Sequence, residues 1–201
     1  MPVFPTLKRW MLFVDGENLT FRAQEVLHDA GVAPIEGRYW RKDCFIWKPQ
    51  TTGSQRVYGA GTIDSNSIRS YYYTSLTGDE PALEQVRRSL WDLQFTPRVF
   101  KKSRQGEKAK GVDISLTKDM LVHAFNNHYD VGILVAGDGD YVPLVEELKH
   151  LGKQVCVVFF SESAGLNPAL KLASDLYVNM TTDFVKGWND AIIHGVLKQD
   201  K

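Results

Sequence analysis

The hydrophobic positions of the chain form short continuous runs separated by stretches in which apolar residues recur at helical spacing. Runs typical of strands buried on both faces of a sheet lie at 10–14, 131–136 and 154–160. Shorter or less regular runs predict further strands at 44–47, 69–75, 98–100 and 176–180. The apolar spacing predicts helices at 19–30, 80–95, 113–125, 143–151, 168–174 and 184–197. Strands that alternate with helices indicate an α/β fold whose mainly parallel sheet is covered by helices on both faces.

No repeat and no low-complexity linker interrupts this alternation, so we expect a single domain over 1–201 that closes with the helix at 184–197. The irregular part is 33–66, where glycines and prolines break the pattern and aromatic residues cluster between Tyr39 and Trp47. With their basic neighbours, these aromatic residues could stack on unpaired bases. The alternative, which we favour, is a loop-rich insertion whose aromatic side chains cover the sheet.

Composition narrows the class of protein without indicating a partner. The 201 residues are 43% hydrophobic, which is enough for a sizeable core, and the 24 basic residues balance the 24 acidic ones. Any attraction to a polyanion must therefore come from a local patch. Cys44 and Cys156 have neither zinc-ligand spacing nor a disulfide framework around them. No stretch predicts a membrane span or a signal peptide, so we expect a cytoplasmic protein without a membrane partner.

Acidic residues stand where the predicted strands end. Asp15 follows the first strand, Asp138 and Asp140 follow the strand at 131–136, and Asp113 opens the helix that leads into that strand. The carboxyl ends of parallel strands meet at one edge of a sheet, where ligands of such folds bind. We therefore expect these four carboxylates to converge at this edge.

Neither histidine nor cysteine accompanies these acids, so the expected ligand is an oxygen-preferring cation, Mg²⁺ or Mn²⁺. Asn18 can add a neutral amide, and Thr117, one helical turn after Asp113, can face the same pocket. Structural alternatives exist for each segment: Asn18 as a helix N-cap, Asp113 as another, and an Asx-turn at 138–140. The coincidence of all three segments at one edge favours the metal site.

The segments that carry these acids resemble the NYN domains, including the LabA-like bacterial proteins, of the PIN-like nuclease superfamily. The matching motifs are Phe13-Val-Asp-Gly-Glu-Asn18, Lys110-Gly-Val-Asp113, Leu134-Val-Ala-Gly-Asp-Gly-Asp-Tyr-Val-Pro-Leu144 and Gly152-Lys-Gln-Val155. The resemblance covers roughly 10–180 and is carried by the order and spacing of all four motifs. One position departs from the pattern, since the family commonly has serine where this chain has Ala136.

The resemblance implies a Rossmann-like three-layer α/β/α sandwich and a metal-dependent ribonuclease. Its acidic metal site, which is also the catalytic site, would consist of Asp15, Asp113, Asp138 and Asp140. Asn18 would be the polar companion of these acids in catalysis.

The run at 98–110 is rich in basic residues and leads directly into Asp113. We expect Lys101, Lys102, Arg104 and Lys110 to neutralise phosphates of a single-stranded RNA substrate, although such a run is often only a solvated loop. Three functions remain open at this point. The first is a Mg²⁺- or Mn²⁺-dependent ribonuclease, the second an RNA- or protein-binding regulatory module of the same fold, and the third a metal-dependent phosphatase acting on small phosphates.

Overall fold

The computed structural model describes residues 8–47, 66–102 and 111–193. Their strands are β1 (Trp10–Asp15), β2 (Trp40–Arg41), β3 (Phe45–Ile46), β4 (Ser67–Leu76), β5 (Thr96–Lys101), β6 (Val131–Val135), β7 (Gln154–Phe159) and β8 (Leu176–Asn179). Their α-helices are α1 (Gly16–Asp29), α2 (Glu80–Asp92), α3 (Val112–Phe125), α4 (Val142–His150), α5 (Pro168–Ala173) and α6 (Thr181–Ile193). Each predicted element is present, with its bounds shifted by a few residues.

Six strands form one parallel sheet in the order β5-β4-β1-β6-β7-β8. The sheet is flanked by helices, so the predicted α/β fold with a three-layer, PIN-like arrangement is confirmed. Most apolar side chains of β1, β6 and β7 are buried, as their continuous apolar runs predict. Because β1 lies in the middle of the sheet, its carboxyl end opens between the ends of β4 and β6.

Two helix boundaries differ from the sequence pattern for local reasons. The helix predicted at 80–95 ends at Asp92, because Gln94 takes a left-handed φ of 67° and Phe95 turns into the core. The helix predicted at 184–197 begins earlier, at Thr181, whose backbone N–H donates to Oδ1 of Asn179 at 3.0 Å. The remainder of that predicted helix, from 194 onward, lies outside the described residues.

The irregular segment contributes a small hairpin to the core. Strands β2 and β3 pair antiparallel, and Phe45, Ile46 and Trp47 are buried. The hydroxyl of Tyr72 accepts from the backbone N–H of Ile46 at 3.2 Å and donates to the Ile46 carbonyl at 3.0 Å. Phe45 and Trp47 thus pack into the core, and the covering role of the whole segment stays a prediction, since 48–65 lie outside the described residues.

None of the helices in the described ranges has the length and apolar character that crossing a membrane requires.

Replacing Trp47 with alanine tests the covering role of the hairpin. Trp47 is 6% exposed and meets the ring of Phe95 edge-on, with 4.9 Å between ring centroids. We expect Trp47→Ala to lower the free energy of unfolding by about 3–5 kcal/mol, measured by urea denaturation. Trp91 on α2 is 71% exposed and is the matched control, so Trp91→Ala should cost less than about 0.5 kcal/mol. Similar losses in the two variants would contradict the covering role.

Candidate metal centre

Asp15 ends β1 and at the same time caps α1. Its Oδ1 accepts from the backbone N–H of Asn18 at 3.0 Å, and the residue is only 3% exposed. The helix-cap alternative for this segment therefore holds in part, but the capping side chain is Asp15 and not Asn18. A Cβ at position 16 would lie 2.1 Å from the ring of Tyr72. Because Gly16 has no side chain, the helix can begin directly after the strand.

Asp113 lies near Asp15 although the two residues are far apart in the chain. The hydroxyl of Tyr141 lies 2.9 Å from Oδ2 of Asp15 and 3.1 Å from Oδ1 of Asp113. Asp113 is in the first turn of α3, whose N-cap is Gly111, so the N-cap alternative for Asp113 is wrong. Thr117 is half-buried one turn further along the helix.

The contacts of Tyr141 show that the two carboxylates are not fully satisfied. A phenol carries one hydrogen and can donate it to only one of the two acceptors. With both carboxylates ionised, the second contact sets two oxygen atoms against each other without a proton between them. Burial of Tyr141 and the charges of Asp15 and Asp113 raise the pKa of the phenol, which therefore stays protonated. A proton or a cation at the carboxylates is required to relieve this arrangement.

The electrostatics of Asp15 lead to the same conclusion. Burial raises its pKa from 3.8 to about 7, and the charges of Asp113 and Glu17 act in the same direction. Hydrogen bonds from the backbone of Asn18 and from Tyr141 oppose this shift. No positively charged side chain is among the main influences on this pKa. A buried carboxylate without a basic partner is costly unless a cation compensates it.

The loop after β6 brings the other two acids to the same edge. The backbone N–H of Gly137 donates to Oδ1 of Asn18 at 2.8 Å, which fixes the loop against α1. Asp138 caps a short 3₁₀ helix, and its Oδ1 accepts from the backbone N–H of Asp140 at 3.2 Å. The Asx-turn alternative is therefore correct as a description of the backbone, and it leaves Asp138 half-buried and Asp140 exposed.

The donor set fits a hard divalent cation. Within residues 8–47, 66–102 and 111–193, no group of three or more His, Cys, Asp or Glu side chains is arranged to hold a metal ion by itself. Mg²⁺ is usually bound by one or two carboxylates, with waters and substrate phosphates as its other ligands. The Asp15–Asp113 pair supplies two carboxylates, and Asp138 and Asp140 follow the neighbouring strand. These are the residues that could hold Mg²⁺ or Mn²⁺.

The predicted substrate-binding residues are only partly within the described chain. Lys101 ends β5 and is exposed, and Lys102 is half-buried with its backbone N–H donating to the carbonyl of Leu76 at 3.0 Å. Both lie at the carboxyl edge of the sheet. Arg104 and Lys110 lie outside the described residues.

Two residues of the centre, Tyr141 and Glu17, were not predicted from the sequence. Tyr141 directly follows Asp140, and a tyrosine in an apolar context is ordinarily assigned to the core. Glu17 accepts a hydrogen bond from the hydroxyl of Ser75 and adds negative charge beside Asp15. Both stand inside motifs that contain the acids, and this is the signal that could have identified them.

Comparison with known proteins identifies a family and a fold. The NYN domain family model matches residues 9–181. A crystal structure of a protein of unknown function from Vibrio parahaemolyticus has a TM-score of 0.63 at 20% identity, covering 90% of this chain and 98% of that chain. Among curated proteins, none matches the chain.

Asp15→Asn should stabilise the metal-free protein in a pH-dependent way. Because the pKa of about 7 in the folded state exceeds the ordinary value of 3.8, Asp15 costs no stability below 3.8 and increasingly more as the pH rises through 7. The difference between these pKa values corresponds to about 4 kcal/mol. In EDTA, denaturant unfolding should therefore show a gain for Asp15→Asn above pH 7 that disappears in acid. A stability difference that does not change with pH would contradict the raised pKa.

Tyr141→Phe should weaken metal binding. The hydroxyl of Tyr141 lowers the pKa of Asp15, so its loss lets a proton compete better with a cation at neutral pH. We expect the apparent affinity for Mn²⁺, measured by isothermal titration calorimetry, to fall about tenfold. Tyr177→Phe is the control, because its hydroxyl donates to the carbonyl of Phe160 away from the acids. Unchanged Mn²⁺ affinity in Tyr141→Phe would exclude this hydroxyl from the centre.

Proposed function

The chain belongs to the NYN domain family of the PIN-like nuclease superfamily, and from this premise we propose that it is a metal-dependent ribonuclease. Its reaction is the hydrolysis of phosphodiester bonds in single-stranded RNA, with Mg²⁺ or Mn²⁺ as the cofactor. We expect the protein to act in the cytoplasm.

One observation carries the proposal. Asp15 is buried at the end of the central strand, beside Asp113, with a single phenolic hydrogen shared between two carboxylates. Two ionised carboxylates in this arrangement destabilise the folded protein at neutral pH unless a positive charge compensates them. A divalent cation supplies that charge, and it can also neutralise a phosphodiester and lower the pKa of a bound water.

Each residue then has a defined task. Asp15 and Asp113 hold the cation, and Tyr141 keeps their facing oxygens in place. Asn18 fixes the loop that carries Asp138 and Asp140, which complete the acidic site and orient water around the cation. The residues proposed to contact the RNA are expected at the same edge of the sheet: Lys101, Lys102, Arg104, Lys110 and Thr117. The lysines and the arginine neutralise phosphates, and Thr117 offers a hydroxyl.

A second candidate function is a binding module that retains the fold without catalysis. Two observations favour it: Ala136 is fully buried at a position where the family commonly has serine, and the described acids form no group of three that could hold a metal ion. Such a module would bind RNA or protein without cleaving it.

Cleavage of labelled single-stranded RNA separates these functions. We expect the wild type to cleave with Mn²⁺ or Mg²⁺ but not with EDTA. Asp15→Asn, Asp113→Asn and Asp138→Asn should each lower the rate about a hundredfold or more, since each removes a negative oxygen from the cation. Asp92→Asn, at the exposed end of α2, should cleave at the wild-type rate.

Three other results would contradict the proposed ribonuclease or the residues assigned to it. RNA binding without cleavage by the wild type would support the binding module. Hydrolysis of small phosphate esters but not of RNA would indicate a phosphatase. Undiminished cleavage in all three acidic variants would exclude these aspartates from the catalytic site.

A further inference from the structure

Two basic residues from distant parts of the chain, Arg41 and Lys102, influence the thiol of Cys44. Arg41 belongs to β2, and Lys102 directly follows β5. Burial raises the pKa of Cys44 to about 11, and the charges of Arg41 and Lys102 act on the same thiol in the opposite direction. The geometry agrees: the backbone N–H of Cys44 donates to the carbonyl of Arg41 at 3.1 Å, and the hydroxyl of Thr74 donates to the carbonyl of Cys44. The backbone N–H of Lys102 donates to the carbonyl of Leu76 at 3.0 Å, so both basic residues belong to segments bonded to the last residues of β4.

This end of β4 lies at the edge of the sheet that carries Asp15. Thr74 follows the residue that pairs with Asp15 in the register of β1 and β4, and its hydroxyl donates to the carbonyl of Cys44. The charge of Glu17 acts both on the carboxyl of Asp15 and on the thiol of Cys44. Both basic residues therefore lie toward the β4–β5 side of the sheet edge that carries Asp15.

Strand β5 carries its lysines beyond the level of the acids. Asp15 pairs with Tyr73, and Tyr73 pairs with Arg98. Lys101 and Lys102 follow Arg98 by three and four residues, which at about 3.3 Å per residue places them roughly 10–13 Å further along the strand direction. Strand β5 is also two strands away from β1, so an RNA strand with one phosphate at the acids would reach these lysines with a phosphate a few nucleotides away.

The hairpin that carries Arg41 is held firmly. Gln24 and Asp43 exchange two hydrogen bonds of 3.2 Å, which tie the hairpin to α1. Both backbone groups of Ile46 bind the hydroxyl of Tyr72 in the core. Since the backbone around Arg41 is already ordered, binding through this residue loses little conformational entropy.

The basic residues at this edge of the sheet have no acidic partner in the described ranges. Arg41, Lys101 and Lys102 form no ion pair there, and Arg41 makes only a long hydrogen bond of 3.4 Å to Oε1 of Gln85. Several other arginines do pair with carboxylates: Arg9, Arg22, Arg87, Arg88 and Arg98. A cluster of uncompensated cations beside an acidic centre attracts an anion.

We propose that Arg41 binds a phosphate group of the RNA next to Lys102, and that the β2–β3 hairpin is thereby part of the substrate-binding surface. The inference rests on the proposed ribonuclease function and extends it to a segment that carries none of its motifs. The guanidinium can hold a phosphate through two parallel hydrogen bonds, which a lysine cannot do.

The test is RNA binding over a series of salt concentrations in an Asp138→Asn background, which keeps the RNA intact. Fluorescence anisotropy of a labelled single-stranded oligoribonucleotide gives the Kd at each salt concentration. We expect Arg41→Ala and Lys102→Ala each to raise Kd roughly five- to tenfold at low salt, and each to reduce the slope of log Kd against log salt by about 0.7. Arg41→Lys should retain the slope and lose part of the affinity.

Arg69→Ala is the matched control, because Arg69 is an exposed arginine at the opposite end of β4 and its removal changes the net charge equally. It should leave Kd and slope unchanged. Equal Kd and slope for Arg41→Ala and Arg69→Ala would overturn the proposal, while cleavage by the wild type, measured in parallel, would leave the ribonuclease intact. Equal losses in Arg41→Ala and Arg41→Lys with an unchanged slope would assign Arg41 a structural role and also overturn it. Absence of both binding and cleavage in the wild type would overturn both proposals.

Discussion

Burial of the Asp15 carboxylate is the constraint on which the rest of the site depends. The same side chain ends β1, caps α1 and faces Asp113, so it cannot be moved without disturbing a strand, a helix and the acidic pair together. Its hydrogen bonds from Asn18 and Tyr141 offset only part of the cost of burial, as its raised pKa shows. The part of this free-energy cost that remains favours the binding of a positive charge at Asp15.

Close packing fixes this arrangement from several sides. Gly16 allows the first turn of α1 to lie against Tyr72, and Gly137 lies where a Cβ would come within 2.2 Å of the ring of Phe159. These two glycines therefore set the positions of Asp15 and of the loop before Asp138. The amide of Asn18 then connects the helix to that loop. The geometry of the acids is a property of the packed core and does not depend on exposed loops alone.

The elements of the sheet could be predicted from the sequence because their signals are local. Continuous apolar runs identify β1, β6 and β7, and the rule for parallel sheets places Asp15 and Asp138 at one edge. The hydrogen bonds of Tyr141 could not be predicted, because a tyrosine after Asp140 has the same local signal whether it fills the core or bridges two acids. The position of Arg41 near the end of β4 could not be predicted either, because it depends on tertiary packing between distant segments and β2 is too short to have a pattern of its own.

The strand order has a consequence for how the protein is made. Strand β1 pairs with β4 and β6, so its partners begin at Ser67 and at Val131, far along the chain. Pairing over such separations makes folding slow relative to proteins with local contacts. During synthesis, Asp15 emerges well before Tyr141, which follows it by 126 positions. A nascent chain therefore has no assembled acidic centre near the ribosome and its RNA until the segment with Asp138 and Tyr141 has been translated.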